Sequence, residues 1–261
     1  MNRRSFAQSV GSAAMLSTLA NDAAQAQSSA QKTRIYRLEY LYYRQGSQGS
    51  RINEFLSSQM PLFAKNTRAM GVFTSILGPH NPLTIVLSGF ASLEDMEAAD
   101  QRIGRTPEFR AAVEKMESGA EPPCDRADRV LLRATDFSPE IVPLAEKPKT
   151  PRVFELRIYH SPTQRQLQFL HERFAGPEIG IFHRSGIFPI LYADTLIGPN
   201  VPNQAYLMPF ENLAAREKAW DAFGADPEWI KARDESIAHG GQIVADNNIT
   251  LLRPTAYSPI Q

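Results

Sequence analysis

Phe90-Ala91-Ser92-Leu93-Glu94 returns as Phe210-Glu211-Asn212-Leu213-Ala214, and Thr106-Pro107-Glu108-Phe109 returns as Asp226-Pro227-Glu228-Trp229. Leu131-Leu132-Arg133-Ala134-Thr135 returns as Leu251-Leu252-Arg253-Pro254-Thr255. Phe90 and Phe210, Pro107 and Pro227, and Leu131 and Leu251 each stand 120 residues apart, a register that chance does not hold over so many positions. Closer to the start, Tyr36-Arg37-Leu38-Glu39 pairs with Phe154-Glu155-Leu156-Arg157 and Gly71 with Gly186, the offset drifting as loop insertions make it drift. The chain is one unit written twice, over 35–135 and 153–255. Residues 136–152 between the copies carry Pro139, Pro143, Pro148 and Pro151, a composition that stays extended and reads as a linker. Residues 256–261 read as a tail.

Each copy presents the same order of elements. Ile35 to Tyr43 and Val153 to His160 alternate in twos and are rich in Tyr, Ile, Leu and Phe, so a strand opens each half. Arg51 to Met70 and Thr163 to Arg184 carry helical spacing, interrupted by Pro61 in one and Gly176-Pro177 in the other, which predicts a kinked or split helix in both. Two hairpins follow, one around Gly78-Pro79-His80-Asn81-Pro82 and one around 198–203. Ser92 then caps a helix, and Thr106-Pro107-Glu108 and Asp226-Pro227-Glu228 start a further helical segment with proline in its first turn. A last strand closes each copy. The order βαββαβ predicts an α+β protein of two ferredoxin-like repeats, each a four-stranded antiparallel sheet with helices on one face. Two such sheets can cover each other, so the fold class expected is a pseudo-dimeric α/β barrel with the sheets packed face to face.

Composition excludes several classes. Lys plus Arg and Asp plus Glu both total 28, so no electrostatic footprint for nucleic acid is visible. No apolar run is long enough to span a bilayer. Cys124 is the single cysteine, which rules out an intrachain disulfide, and no His, Cys or Glu spacing reads as a metal site. The sequence lacks a phosphate-binding glycine loop and a nucleophile elbow. Residues 1–26 read as an export signal: Arg3-Arg4 followed by Phe6, an apolar run from Val10 to Ala20, and Ala24-Gln25-Ala26 as the cleavage pattern. The arginine pair and the weakly hydrophobic run favour the twin-arginine route over the general secretory one, and a periplasmic or secreted destination follows. Residues 27–34 are expected to be a disordered lead-in.

The strand Phe154-Glu155-Leu156-Arg157-Ile158-Tyr159, the helix ending near Gly186 and the turn Asp226-Pro227-Glu228-Trp229 resemble the NIPSNAP domain, whose repeats open on a Tyr-Glu-Leu-Arg-like strand and carry an Asp-Pro-Glu-Trp turn. The first copy departs from that pattern, reversing the charge order at Arg37 and Glu39. The resemblance implies the dimeric α/β-barrel superfamily, which includes haem-binding proteins, small monooxygenases and many proteins with no assigned activity. It implies a binder of a small molecule or a protein partner, with an oxidoreductase or monooxygenase and a haem binder as alternatives. No cofactor is evident in the residues themselves, and monomer and homodimer are equally compatible with two halves that satisfy each other.

Arg37 and Glu39 exchange sign with Glu155 and Arg157 at alternate positions of the opening strands, so each pair shares one face. Two roles are open for these residues and Tyr159. They could pair across a pseudo-twofold interface, Arg37 with Glu155 and Glu39 with Arg157, or they could line a pocket and orient an anionic ligand. His171 and His183 are the candidates for a haem or metal ligand, or for a base with Glu172 or Glu178. Against this, no His-x-x-x-His or Glu-x-x-His spacing occurs, and the first copy offers no histidine in the matching stretch. The tyrosines, Trp220 and Trp229 read as packing residues.

Overall fold

A computed structural model describes residues 32–261. The export signal read over 1–26 and residues 27–31 of the lead-in lie outside the described residues. The first half runs β1 (Ile35–Tyr42), α1 (Ser47–Asn66), β2 (Ala69–Leu77), β3 (Leu83–Phe90), α2 (Leu93–Arg105), α3 (Pro107–Glu117) and β4 (Arg126–Ala134). The second runs β5 (Val153–His160), α4 (Gln164–Arg173), a π turn over Phe174–Glu178, α5 (Ile179–Arg184), β6 (Leu191–Ile197), β7 (Asn203–Phe210), α6 (Leu213–Ala225), α7 (Pro227–Gly240) and β8 (Asp246–Pro254). Within each half the strands lie in the order fourth, first, third, second, all antiparallel, which is the ferredoxin-like arrangement.

The two sheets do more than face each other. β2 bonds to β8 and β4 bonds to β6, so the eight strands close into one barrel. Both junctions carry a register shift, at Ser75/Leu77 and at Leu131/Leu132. Closure consumes the edges that two separate sheets would leave unpaired. The barrel interior is a single apolar cluster drawn from both halves, including Tyr36, Leu38, Phe73, Leu87, Leu132, Phe154, Leu156 and Leu207. The Phe73 and Phe154 rings meet across the halves with centroids 5.0 Å apart. The opposite face of each sheet packs against that half's own helices.

The caps form as their residue types dictate. Ser92 Oγ accepts the Asp95 N–H, Asn212 Oδ1 accepts that of Ala215, and Asp226 Oδ1 accepts those of Glu228 and Trp229.

Several expectations are corrected. The first helix, expected from Arg51, begins four residues earlier, at Ser47. It is held by buried Gln48, whose Oε1 accepts the Arg44 N–H and whose amide donates to the Pro122 carbonyl and to Asp125. α1 remains one helix through Pro61, whereas Gly176 and Pro177 together break the second-half helix, with Gly176 at φ −83 and ψ −110. One missing donor is tolerated; a proline adjoining a glycine outside helical geometry is not. Gly71 and Gly186 are not equivalent. Gly71 pairs with Leu87 and Leu191 pairs with Leu207, which makes Leu191 the counterpart of Gly71. A Cβ at Gly71 would come 2.7 Å from the Phe73 ring, while Gly186 sits at φ +87 beyond α5.

The described end of the lead-in, the linker and the tail also make packing contacts. Thr33 is buried and its N–H donates to Glu140 at 2.9 Å, and Ile141 joins the barrel core. At the other end Ser258 Oγ accepts the Val72 N–H at 3.0 Å and Ile260 enters the same core.

Candidate functional site

The alternation that places Tyr36, Leu38 and Phe154 inside the barrel turns Arg37, Glu39, Glu155, Arg157 and Tyr159 outward, under the helices. That geometry overturns pairing across a pseudo-twofold interface. In the first half Arg37 makes a two-pronged contact with Asp100 of α2, at 2.7 and 3.0 Å, and Glu39 accepts from Arg129 of β4 at 2.6 Å. In the second half Glu155, wholly buried, accepts from Arg157, from Arg216 and, at 3.1 Å, from the Trp220 indole. β1 and β5 are not neighbours in the barrel, so each strand's charges find partners in its own half.

Burial works against the Arg37 charge, but the Asp100 hydrogen bond and the Glu39 and Asp100 carboxylates outweigh it and leave its pKa above the ordinary arginine value. Arg157 behaves likewise: burial opposes its charge, and the field of Tyr206, Tyr159 and Glu155 prevails. The Arg157 guanidinium also lies 3.5 Å from the centre of the Trp220 ring, a cation–π contact.

The helix-facing layers differ in what fills them. In the first half a cavity of about 410 Å³ lies between sheet and helices, with Arg37, Glu39, Asp100 and Arg129 at its floor and Ile52, Phe55, Phe63, Val86, Ile103, Phe109, Val113, Met116 and Cys124 around it. Burial and the neighbouring Asp125 charge push the Cys124 thiol up, toward its neutral form. The fixed 120-residue register makes the cause visible. Val86, Ser88, Asp100, Ile103 and Phe109 correspond to Tyr206, Met208, Trp220, Phe223 and Trp229, a larger side chain at every position. Those larger residues, with Phe174 and Phe182, fill the second-half layer with aromatic contacts, for instance Phe182 to Phe223 at 4.7 Å and Phe223 to Trp229 at 4.3 Å between centroids. α3, over the cavity, has no fully buried residue, whereas its counterpart α7 buries Ala232.

The remaining candidates are spread over the second half. His171 Nε2 lies 2.8 Å from Asp194 Oδ1 with Phe137 edge-on to its ring. Glu172 is exposed and accepts from Gln168, and His183 is exposed and stacks on Phe188. His171, Glu172 and His183 are not brought to a common point, and the first-half cavity has no histidine in its lining. Sequence reasoning missed Asp194 and Arg216. Glu178, in the π turn, is fully buried against Arg173; burial raises its pKa and the Arg173 contact opposes the rise. Among the described residues, no cluster of three or more His, Cys, Asp or Glu side chains is placed to hold a metal ion.

An α+β barrel built from two ferredoxin-like halves defines the class of protein. In overall fold the chain is similar to a provisionally named monooxygenase from Lactobacillus acidophilus NCFM, with 13% identity, TM-score 0.54, and 85% of this chain and 94% of that one covered. It is also similar to an anthrone oxidase-like protein, with 12% identity, TM-score 0.53, and 86% and 92% covered. At such identities the likeness concerns the fold alone. The NIPSNAP family model matches residues 154–259, which span the second half of this chain. No curated protein matches the chain.

Proposed function

We propose that the chain is an exported binding protein whose first half takes up a small, mainly apolar molecule with one hydrogen-bonding end. The cavity of about 410 Å³ under α1, α2 and α3 carries this reading, because the same layer in the second half is filled. Its size and its apolar wall over a few fixed polar groups match the general character of small-molecule sites. Arg37, Glu39, Asp100 and Arg129 balance one another in ion pairs, which favours an uncharged ligand over an ion. A reaction needing proton transfer finds these groups already committed. Haem does not suit the lining, which offers no histidine and a thiol held neutral. The closed barrel leaves no strand edge for a second copy to extend, which supports a monomer.

Calorimetric titration of the full chain with 1-decanol tests the binding role. Saturable binding that falls at least about tenfold in Val113→Trp, with the melting temperature kept, is the expected result; undiminished binding in that variant contradicts the assignment. Export is tested by Arg3→Lys with Arg4→Lys, which should leave the chain unprocessed in the cytoplasm.

A further inference from the structure

The two hairpin turns, 78–82 and 198–202, stand at one end of the barrel, where a cavity of about 670 Å³ opens between strands of both halves. Barrel mouths are recurrent ligand sites. The halves line this one unequally: Leu83 and Val130 of the first half are answered, 120 residues on, by Asn203 and Thr250. β1 runs beside β4 with Tyr42 opposite Arg126 and Tyr40 opposite Asp128, so these four residues share the barrel-facing side.

The tyrosine rings are stacked, with centroids 6.3 Å apart and planes 12° from parallel. The Arg126 guanidinium lies 4.1 Å from the Tyr42 ring centre and 3.2 Å from Asp128. The side chains of that ion pair are 54% and 44% exposed, so the pair contributes little and the guanidinium can re-pair at small cost. Arginine carries five N–H donors in a fork that suits a carboxylate, and Asp128 engages only part of it. Across the mouth Asn203 is already committed to Thr195, Pro199 and Asn200.

We propose that the barrel mouth is a second ligand site, one that takes a planar aromatic monocarboxylate. Its ring packs beside the stacked Tyr40 and Tyr42 rings and its carboxylate meets Arg126. The nearby Asp128 carboxylate disfavours a second negative charge on the ligand. This site opens on the barrel-facing side of the sheet and the first-half cavity on the helix-facing side; Arg129 reaches the edge of both and is left untouched in the test.

The test is titration of the full chain with 1-naphthoate and with its uncharged analogue 1-naphthalenemethanol. Naphthoate should bind. Arg126→Leu should weaken naphthoate about tenfold while hardly affecting the alcohol, and Tyr40→Leu should weaken both. Val113→Trp, which fills the other cavity, should leave naphthoate binding unchanged, so this site and the first-half site fail separately. Failure of naphthoate to bind, equal binding by Arg126→Leu, or loss of binding in Val113→Trp overturns the proposal. Should Tyr40→Leu not fold, Arg126→Leu at its half-exposed position decides alone.

Discussion

The two halves share a backbone plan and differ in how they fill it. Above the second-half sheet, Tyr206, Trp220, Phe223, Trp229, Phe174 and Phe182 interlock, and a wholly buried carboxylate, Glu155, is satisfied from three sides. Above the first-half sheet, the matching side chains are smaller and the charges lie at the floor of an open space. One copy of a duplicated unit can thus carry the stability of the barrel while the other trades packing for a cavity. Apolar packing density is what stabilises a layer, and a void forgoes those contacts.

The largest effect should come from the buried charge. Glu155→Ala strands Arg157 and Arg216 in a dry layer and should cost about 3–5 kcal/mol in urea unfolding. The counterpart Arg37→Ala, whose partner Asp100 is 46% exposed, should cost about 1 kcal/mol or less. Equal losses would erase the proposed division between the halves. A gentler swap exchanges matched residues. Phe223→Ile opens a void in the filled layer and should cost about 1–2 kcal/mol. Ile103→Phe enters existing space and should stay within about 1 kcal/mol of the parent, below the usual cost of overpacking. If Ile103→Phe destabilises as much as Phe223→Ile, the first-half cavity is not available space.

The smallest effect is a pH dependence. Asp226 caps α7 and pairs with Arg184, and the Arg184 hydrogen bond is the main cause of a pKa lowered to about 2. Its matching residue Thr106 makes no such side-chain cap. A lowered carboxylate pKa stabilises the folded chain above the ordinary aspartate range, and that contribution is lost as pH falls toward about 2. Asp226→Asn should therefore melt closer to the parent in acid than at neutral pH, whereas Thr106→Ala should shift the melt equally at both.

The repeat made most of the fold legible in the sequence, because capping residues and two-residue alternation act locally. The duplication made the barrel itself legible, but not the pairings that close it: β2 to β8 and β4 to β6 join residues far apart, and no local pattern encodes which edges meet. The start of α1 was hidden by Gly46 and Gly49, since two of the three groups that hold Gln48 lie more than 70 residues away. The sign exchange at Arg37, Glu39, Glu155 and Arg157 was visible, but its meaning depended on which face turned inward. The cavity did leave a signal. Val86 against Tyr206, Asp100 against Trp220 and Ile103 against Phe223 could have been read from the register as a loss of volume in one copy.

Methionine methyl groups lie on both sides of the comparison. Met70 and Met116 border the first-half cavity, and Met208 is buried in the second-half layer. A methyl-carbon NMR titration of the full chain with 1-decanol should move the Met70 and Met116 signals and leave Met208 in place. A spectrum in which Met208 moves as far as they do, or in which none of the three moves, contradicts a cavity kept by one half and filled in the other.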